Sequence, residues 1–245
     1  MRIDVLFSGF PGQSDRGFLG WSSCVLIRPD QGGPILFDTA GFNERYVLIQ
    51  KFQDLGVKLE DVEIVFLSHY HFDHAANVSL FPKAKVFLHE KEIVHIKKCQ
   101  KGIFNDLAVP HEMFKVLEVS GRICVLKGLS GYINQFEWRL TPGHTPGLCS
   151  MLLKMGNKKW VLASDAVKNK TELASGHASM SLDDEASAKS ISWIRENADV
   201  VVPGHDGILN LQRGNGSNLS IQKSRTPVIK ITSPEQIIVK VNDNG

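Results

Sequence analysis

The sequence predicts an α/β fold in which two β-sheets pack face to face between outer helices, as a four-layer sandwich. Strand-like runs alternate with helix-like segments in both halves of the chain. The halves also echo one another, because LTPGHTPG (140–147) and VVPGHDG (201–207) both place Pro-Gly-His directly after a predicted strand. A sandwich of this kind is expected to carry its functional site at one edge of the two sheets.

The first half is predicted to contain a strand meander, a helix and two buried strands. Short β-rich runs separated by Gly and Pro come first, at residues 3–7, 22–27 and 34–38. Apolar residues at three- and four-residue spacing from Phe42 to Leu55 predict an amphipathic helix that ends at Gly56. The apolar runs 63–68 and 84–89 predict strands buried on both faces.

The second half is predicted to be rich in strands, with one long helix before its last strand. A short helix is expected over 90–98, and residues 99–121 show no clear period, which makes them a candidate substrate lid. The helix at about 184–197 is expected to open at Ser181, because Asp184 three residues later completes a capping-box pattern. Strand-like runs lie at 122–128, 136–142, 149–155, 159–164 and 198–205.

Composition narrows the class of protein. The chain has 245 residues and is 42% hydrophobic, which suits one compact unit. Its 28 Lys and Arg against 26 Asp and Glu lack the basic excess of a dedicated nucleic-acid binder. No apolar run approaches the roughly 18 residues of a membrane span, and no signal-peptide pattern opens the sequence. We therefore expect a cytoplasmic protein without membrane contact, whose four separated cysteines stay reduced.

The strongest chemical signal is HYHFDH at residues 69–74, directly after a predicted strand. Three imidazoles and a carboxylate side by side would be costly to desolvate in a core, and they are ligands that suit divalent transition metals. On an extended loop His69 and His71 would point to one side, whereas Asp73 and His74 could face a second point. The cluster therefore predicts two metal ions rather than one.

Three further candidate ligands follow predicted strands. His144, Asp165 and His205 each come after an apolar run, among Gly, Pro or small residues that let backbones approach closely. With the cluster at 69–74 they predict a seven-ligand site. The remaining histidines lack such a setting: His89, His95, His111 and His177.

With these motifs the sequence resembles the metallo-β-lactamase superfamily over residues 1–210. Asp38 in ILFDTAG resembles the first motif, and residues 69–74, His144, Asp165 and His205 resemble the second to fifth. The resemblance implies an αββα sandwich as the hydrolase domain over 1–210. The remaining residues, 211–245, form an extension that is expected to be a β-hairpin packed on the same domain, from the alternating runs PVIKIT and EQIIVKV.

The resemblance also implies how the ligands divide between two zinc ions, with iron or manganese as alternative metals. One ion would be held by the first set, His69, His71 and His144. The other would be held by the second set, Asp73, His74 and His205, and Asp165 would bridge the two.

The implied activity is hydrolysis of an ester, lactone or thioester bond in a small molecule. Two metal ions would lower the pKa of a shared water from 15.7 towards about 7. Asp73 would accept the proton and return it to the leaving group, while Asp38 would fix a ligand imidazole or its loop by hydrogen bonds.

Several relatives remain open as models for the activity. The stretches around SHYHFDHAANVSLF and LTPGHTPG resemble N-acyl homoserine lactonases. NVSLFPKAKVF and ADVVVPGH resemble the metallo-β-lactamase domain-containing protein 1 group, which implies a nuclease acting on RNA, although the near-neutral charge disfavours that substrate. Persulfide dioxygenases share this fold and use one iron at the first site.

Lys168 marks a departure from the lactonases, which carry a tyrosine three residues after the bridging aspartate. We expect this lysine at the rim of the pocket, where its ammonium would attract an anionic substrate or donate to the developing oxyanion. The alternative is a solvent-exposed lysine on a polar loop, with no part in function. The sequence leaves open whether the chain forms a homodimer.

Overall fold

The structure is a computed structural model in which residues 1–15, 17–213 and 219–223 are described. The strands of these ranges, in chain order, are β1 (Arg2–Phe7), β2 (Gln13–Ser14), β3 (Gly17–Phe18), β4 (Cys24–Arg28), β5 (Ile35–Phe37), β6 (Ile64–Phe66), β7 (Lys85–His89), β8 (Ile123–Leu126), β9 (Ser130–Ile133), β10 (Phe136–Leu140), β11 (Cys149–Met155), β12 (Lys158–Ser164), β13 (Val200–Pro203), β14 (Leu209–Arg213) and β15 (Leu219–Lys223). The α-helices are α1 (Arg45–Asp54), α2 (Phe72–Ala75), α3 (Glu90–Gln100), α4 (His111–Val119), α5 (Lys170–Ser175) and α6 (Asp184–Asn197).

Two mixed sheets form the middle layers. The first has the strand order β1-β4-β5-β6-β7-β8, and the second β15-β14-β13-β12-β11-β10-β9. Strands β5 to β8 are parallel to one another, as are β12 and β13, so their carboxyl ends gather at one edge of each sheet. Ligands in α/β sheets bind at such edges. The predicted four-layer α/β sandwich is confirmed.

The sheets are held together by a shared apolar core. Phe37 and Phe66 of the first sheet stack with ring centroids 5.5 Å apart, and they belong to one buried cluster with Trp138 and Met151 of the second sheet. A second cluster lies under α1, α3 and α4, and a third under α5 and α6. Helices therefore cover the outer face of each sheet, as their buried apolar residues require.

Several predicted elements need correction. The predicted helix 42–55 begins as a 3-10 turn at Phe42–Glu44 before α1, and only Leu48 and Phe52 of α1 are buried, while Tyr46 is 73% exposed. The segment 99–121, which shows no period, contains α4. The strand predicted at 122–128 pairs with β7, and so it closes the first sheet instead of opening the second.

The start of α6 also differs from its prediction. Its cap is Asp183, whose side chain accepts a hydrogen bond from Ala186 N, and not Ser181. The backbone N–H groups of Leu182 and Asp183 both donate to Gly143 O, which ties this end of α6 to the loop before His144. The residues at the start of α6 therefore also anchor the loop that precedes His144.

The carboxyl-terminal prediction lies mostly beyond the described ranges. Strands β14 and β15 pair antiparallel and continue the second sheet past residue 210. The hairpin predicted at 227–232 and 235–241 lies outside the described residues. In the described ranges no helix has both the length and the apolarity to cross a bilayer. All four cysteines are free thiols.

Candidate metal centre

Strand ends bring the seven predicted ligands together. The segment 69–74 follows β6 and turns into α2 at Phe72, and His144 lies in the loop after β10. Asp165 directly follows β12, and His205 is the second residue after β13. Three groups of these side chains have ligand atoms within 4.8 Å of one another: His69, His71 and His144; His69, His74 and Asp165; and Asp73, His74 and His205.

Asp165 lies between the two predicted ligand sets. Its Oδ2 is 3.3 Å from His144 Nε2 and 3.4 Å from His205 Nε2, and its Oδ1 is 3.3 Å from His74 Nε2. His71 Nδ1 is 3.0 Å from His144 Nε2, and Asp73 Oδ2 is 3.3 Å from His205 Nε2. One carboxylate therefore contacts members of both sets.

Three buried polar atoms at this point form no hydrogen bond of acceptable geometry among the described residues, although two of them, His74 Nε2 and Asp165 Oδ1, lie 3.3 Å apart. They are His69 Nε2, His74 Nε2 and Asp165 Oδ1. A buried polar atom left unpaired costs about 1–3 kcal/mol, so such atoms normally have a partner. Imidazole nitrogen and carboxylate oxygen are the ligands that zinc accepts beside thiolate. The orphaned atoms and the donor set therefore fit divalent metal ions.

Asp38 fixes the neighbours of the candidate ligands by hydrogen bonds. It is fully buried, and its carboxylate accepts hydrogen bonds from Ser68 N at 2.7 Å, Ser68 Oγ at 2.8 Å and Ser164 Oγ at 3.1 Å. Its Oδ2 also lies 2.8 Å from His74 Nδ1. A protonated Nδ1 leaves the His74 Nε2 lone pair free for a metal. Asp38 therefore fixes by hydrogen bonds both the imidazole of a candidate ligand, His74, and the loop at Ser68, as expected.

The charges of the site divide the histidines into two kinds. Burial lowers the pKa of His144 to about 3 and that of His69 well below its usual range. Burial opposes protonation of His74 as well, yet the carboxylates of Asp73 and Asp165 raise its pKa well above the ordinary value. Asp165 likewise raises the pKa of His205 against the effect of burial. These raised pKa values favour protonation of His74 and His205 in the absence of metal, and a cation bound there would compete with the protons.

Backbone strain is concentrated around the site. Among the described residues five non-glycine residues have positive φ, and four of them border the candidate ligands: Asp38 (57°), Ala40 (57°), Ser164 (48°) and Met180 (53°). Asp38 and Ser164 bond to each other, and Met180 O lies 3.0 Å from His144 Nδ1. Such strained residues persist where surrounding structure holds them, often at functional sites.

Glycines let the ligand loops approach neighbouring backbone. A Cβ on Gly204, directly before His205, would lie 1.9 Å from Asp165 Oδ1. A Cβ on Gly143, directly before His144, would lie 2.4 Å from Ser187 Cα in α6. The two Pro-Gly-His motifs therefore need glycine for space, which is the physical meaning of their similarity.

Lys168 is neither exposed nor unpaired. It is 9% exposed, and its Nζ donates to Ser179 O at 2.6 Å and lies 3.3 Å from Glu172 Oε1. Its backbone O accepts from His205 N at 2.8 Å, so the residue adjoins the site. The exposed-loop alternative is therefore wrong, and a direct role toward substrate stays a prediction.

Three functional candidates were not predicted from the sequence. Asp106 Oδ2 lies 3.2 Å from His71 Nε2 and 2.9 Å from His95 Nε2, so His95 does have a setting at the site. These hydrogen bonds outweigh the effect of burial and lower the pKa of Asp106. Glu92 contacts the two ligand loops from α3. Acidic residues on a helix or an aperiodic loop give no signal that separates them from surface charges.

A cleft of about 780 Å³ flanks the loop that carries His144. Its volume lies within the range of small-molecule sites, roughly 300–1,000 Å³. Phe104 and His95 form part of one wall, with ring centroids 5.1 Å apart, and Gly143 and Leu182 form part of another. The cleft therefore borders the loop that carries His144, and one of its lining residues, His95, contacts Asp106, the partner of His71.

Comparison with known sequences identifies relatives. The sequence profile described as metallo-beta-lactamase superfamily matches residues 19–205. Metallo-beta-lactamase domain-containing protein 1 of Xenopus laevis is 30% identical over 208 residues, which cover 83% of this chain and 78% of that protein. The N-acyl homoserine lactonase of Bacillus cereus is 25% identical over 211 residues, which cover 75% of this chain and 80% of that protein.

Solved structures share the architecture. A Thermotoga maritima protein assigned to the metallo-beta-lactamases superposes with a TM-score of 0.69 at 21% identity, over 85% of this chain and 98% of the other. The dizinc quorum-quenching lactonase AidC superposes with a TM-score of 0.63 at 18% identity, over 86% and 82%. At these identities the similarity shows a common fold.

Proposed function

The chain belongs to the metallo-β-lactamase superfamily, and from this premise we propose that it is a dinuclear, zinc-dependent hydrolase of ester, lactone or thioester bonds in small molecules. That it is a metal-dependent hydrolase follows from its homologues, which include lactonases. The observation that carries the dinuclear assignment is Asp165, whose two carboxylate oxygens contact His144, His205 and His74.

The ligand roles are proposed as the motifs imply. His69, His71 and His144 would hold one ion, and Asp73, His74 and His205 the other, with Asp165 bridging. The unpaired buried atoms of His69, His74 and Asp165 support this division. Bound zinc would polarise the oxygen of the scissile carbonyl and activate water as a nucleophile at neutral pH.

Asp73 would move the proton. Its side chain is 17% exposed, against 4% for Asp165, so of the two acidic ligands it is the one open to substrate. A carboxylate so placed can accept a proton from the attacking water and return it to the leaving group. Lys168 would act on the substrate only if it left Glu172, and its proposed part is to favour an anionic group near the ligand loop.

A small-molecule substrate is supported by the cleft and by apolar side chains beside the site. Phe72 lies between two ligands and is 42% exposed, and Met180, bonded to His144, is 69% exposed. Exposed apolar side chains beside convergent polar groups are typical of small-molecule sites. The lactonases among the relatives support a carbonyl substrate.

The test is a metal count combined with a substrate panel. We expect about two zinc ions per chain in the purified protein, and hydrolysis of an aryl ester, a thioester or an N-acyl homoserine lactone that stops on dialysis against a chelator. His71→Ala should abolish both metal at the first set and turnover. His177→Ala, which changes an exposed histidine away from the ligands, is the control and should change neither.

Other outcomes would contradict the proposal. One iron per chain with oxygen uptake on glutathione persulfide would indicate a dioxygenase. Cleavage restricted to a phosphodiester or a short RNA, with steep salt dependence, would indicate a nuclease.

A further inference from the structure

Glu92 is a charged side chain with no exposed surface that lies outside the proposed ligand set. It sits in the first turn of α3, and its carboxylate accepts three hydrogen bonds. Oε1 accepts from Tyr70 N at 2.9 Å, while Oε2 accepts from Thr145 Oγ1 at 2.7 Å and from Gly147 N at 3.1 Å. All of its donors belong to two loops, those that carry the candidate metal ligands.

The donors flank the ligands of one set only. Tyr70 lies between His69 and His71, and Thr145 directly follows His144. Glu92 thus joins the loop after β6 to the loop after β10, which come from different sheets. We propose that Glu92 is a positioning residue that sets the spacing of the first ligand set. This inference rests on the proposed function, because it takes those histidines as metal ligands.

The chemistry of this position calls for a carboxylate. Three donors converge on it, and an ionised carboxylate accepts on both oxygens without donating. Glutamine has nearly the same shape, but its NH₂ group would face at least one N–H donor and leave that buried group unpaired. Charge-assisted bonds are also roughly twice as strong as neutral ones, so they hold the loops more firmly.

The helix stabilises the charge in place of a cation. Glu92 is the third residue of α3. The N–H groups of a first helical turn have no partner within the helix, and they give this end of the helix a partial positive charge. In the described residues no lysine or arginine forms an ion pair with this carboxylate. The buried charge is therefore balanced by oriented N–H and O–H dipoles.

Close packing makes the contact rigid. A Cβ on Gly147 would lie only 2.1 Å from Glu92 N, so the loop backbone rests directly on the first turn of the helix. Thr145 and Tyr70 are also buried. A shift of this carboxylate would therefore move both loops, and with them the relative positions of His69, His71 and His144.

The experiment measures zinc affinity rather than turnover. Zinc competition with a chromophoric chelator would be run on the wild-type chain, Glu92→Gln and Thr145→Val. His71→Ala and His205→Ala serve as references that empty the first and second sets. Asp4→Asn is the matched control, since Asp4 is a partly buried carboxylate whose side-chain hydrogen bonds are with Arg2 and Arg28 and not with the loops after β6 and β10.

We expect Glu92→Gln to weaken the first-set ion by about 10-fold or more, the range found for residues that orient metal ligands, and to leave the second ion tightly bound. Its cobalt-substituted spectrum should resemble that of His71→Ala rather than His205→Ala. Thr145→Val should show a smaller loss in the same direction. The double variant should lose less than the sum of the two single changes, because both remove the same contact.

Two results would overturn the inference. Unchanged affinity at both sets in Glu92→Gln would show that the carboxylate does not set the spacing. Equal weakening at both sets, as expected of a general loss of stability and matched by Asp4→Asn, would assign Glu92 to folding alone. If Glu92→Gln does not fold, Thr145→Val decides by the same criteria. Wild-type protein that binds no metal would instead overturn the proposed function on which the inference rests.

Discussion

Asp165 is the side chain on which the proposed two-ion site depends most. It is buried, and three histidines outweigh the effect of burial to hold its pKa well below the ordinary value: His205, His74 and His144. It is therefore ionised at any working pH. A carboxylate that is always charged and contacts both ligand sets is the natural place for a bridge between two cations.

We predict different metal losses for two ligand variants. Asp165→Ala should lower occupancy of both ions, because one carboxylate is proposed to contact both, whereas His205→Ala should mainly empty the second set. Bound metal would be counted by elemental analysis after gel filtration. Two tightly held ions in Asp165→Ala, with activity unchanged, would refute the bridging role.

Lys168 gives a prediction with two separable parts. Lys168→Met keeps the stem but leaves Glu172 without its cation, so the free energy of unfolding should fall. The loss should lie between about 1 kcal/mol, the upper range for surface pairs, and the roughly 3–5 kcal/mol of breaking a buried pair. Denaturant unfolding measures it, and Lys189→Met, at an exposed pair with Glu185, is the control.

The second part concerns substrate charge. If Lys168 favours an anionic substrate, kcat/KM for anionic esters should fall by about tenfold or more, equivalent to about 1.4 kcal/mol, with metal content unchanged. Equal losses on neutral and anionic esters would indicate a contact with the developing oxyanion. No loss on either would confine the lysine to its pair with Glu172.

Helices and strands could be predicted from the sequence where burial makes apolar residues recur at a regular spacing. Where burial leaves no such spacing, they could not. Strand β6 was predictable because its three residues are apolar and buried on both faces. Helix α4 was not, because its nine residues include apolar side chains on several faces: Phe114 and Leu117 are buried, while Val116 and Val119 are exposed. The exposed apolar residues obscure the helical spacing of the buried ones, so the sequence pattern does not reveal the helix.

The residues of the candidate site likewise differ in whether the sequence alone could predict them. Histidines after strands could be found from the sequence, since each polar residue interrupts an apolar run. Glu92 and Asp106 could not, because their role depends on which loops lie opposite them, and that is decided by tertiary packing. The candidate ligands and Asp38 were therefore predictable from their motifs, whereas Glu92 and Asp106, which contact the ligand loops from elsewhere in the fold, were not.

The glycine at the turn after β13 yields a prediction at this scale. Gly204→Ala would place a Cβ 1.9 Å from Asp165 Oδ1, so the loop or the carboxylate must shift, and metal should be lost from both sets. Gly102→Ala is the matched control, because its added Cβ meets nothing within 4 Å, although its φ of +66° makes it strained. It should cost about 1–2 kcal/mol of stability and keep both ions. Metal retained in Gly204→Ala would contradict the close approach.

For the whole molecule, metal binding and pH should be linked. The raised pKa values of His74 and His205 mean that these imidazoles stay protonated above the ordinary histidine value of about 6.5, whereas metal ligands must be neutral. Binding should therefore release protons, and zinc affinity should rise as pH increases above about 6.5. His69 and His144, whose pKa values are lowered, should add nothing to this dependence near neutrality.

Titration calorimetry in buffers of different ionisation enthalpy would count the released protons. His205→Ala should release fewer than the wild-type chain. A zinc affinity that stayed constant between about pH 6 and 8 would contradict the assignment of protons to His74 and His205.

The division of the chain between its two sheets would make the proposed metal centre a cross-link between halves of the molecule. Strands β1 to β8 end at Leu126 and β9 starts at Ser130, with an exposed turn at 127–129 between them. The first half carries His69, His71, Asp73 and His74, and the second half carries the other three ligands. Because the apolar core also joins the two sheets, two separately expressed halves, split at this turn, should associate more tightly in the presence of zinc and exchange partners faster when a chelator removes it. Native mass spectrometry would detect that exchange, which would make the protein a metal-operated split reporter.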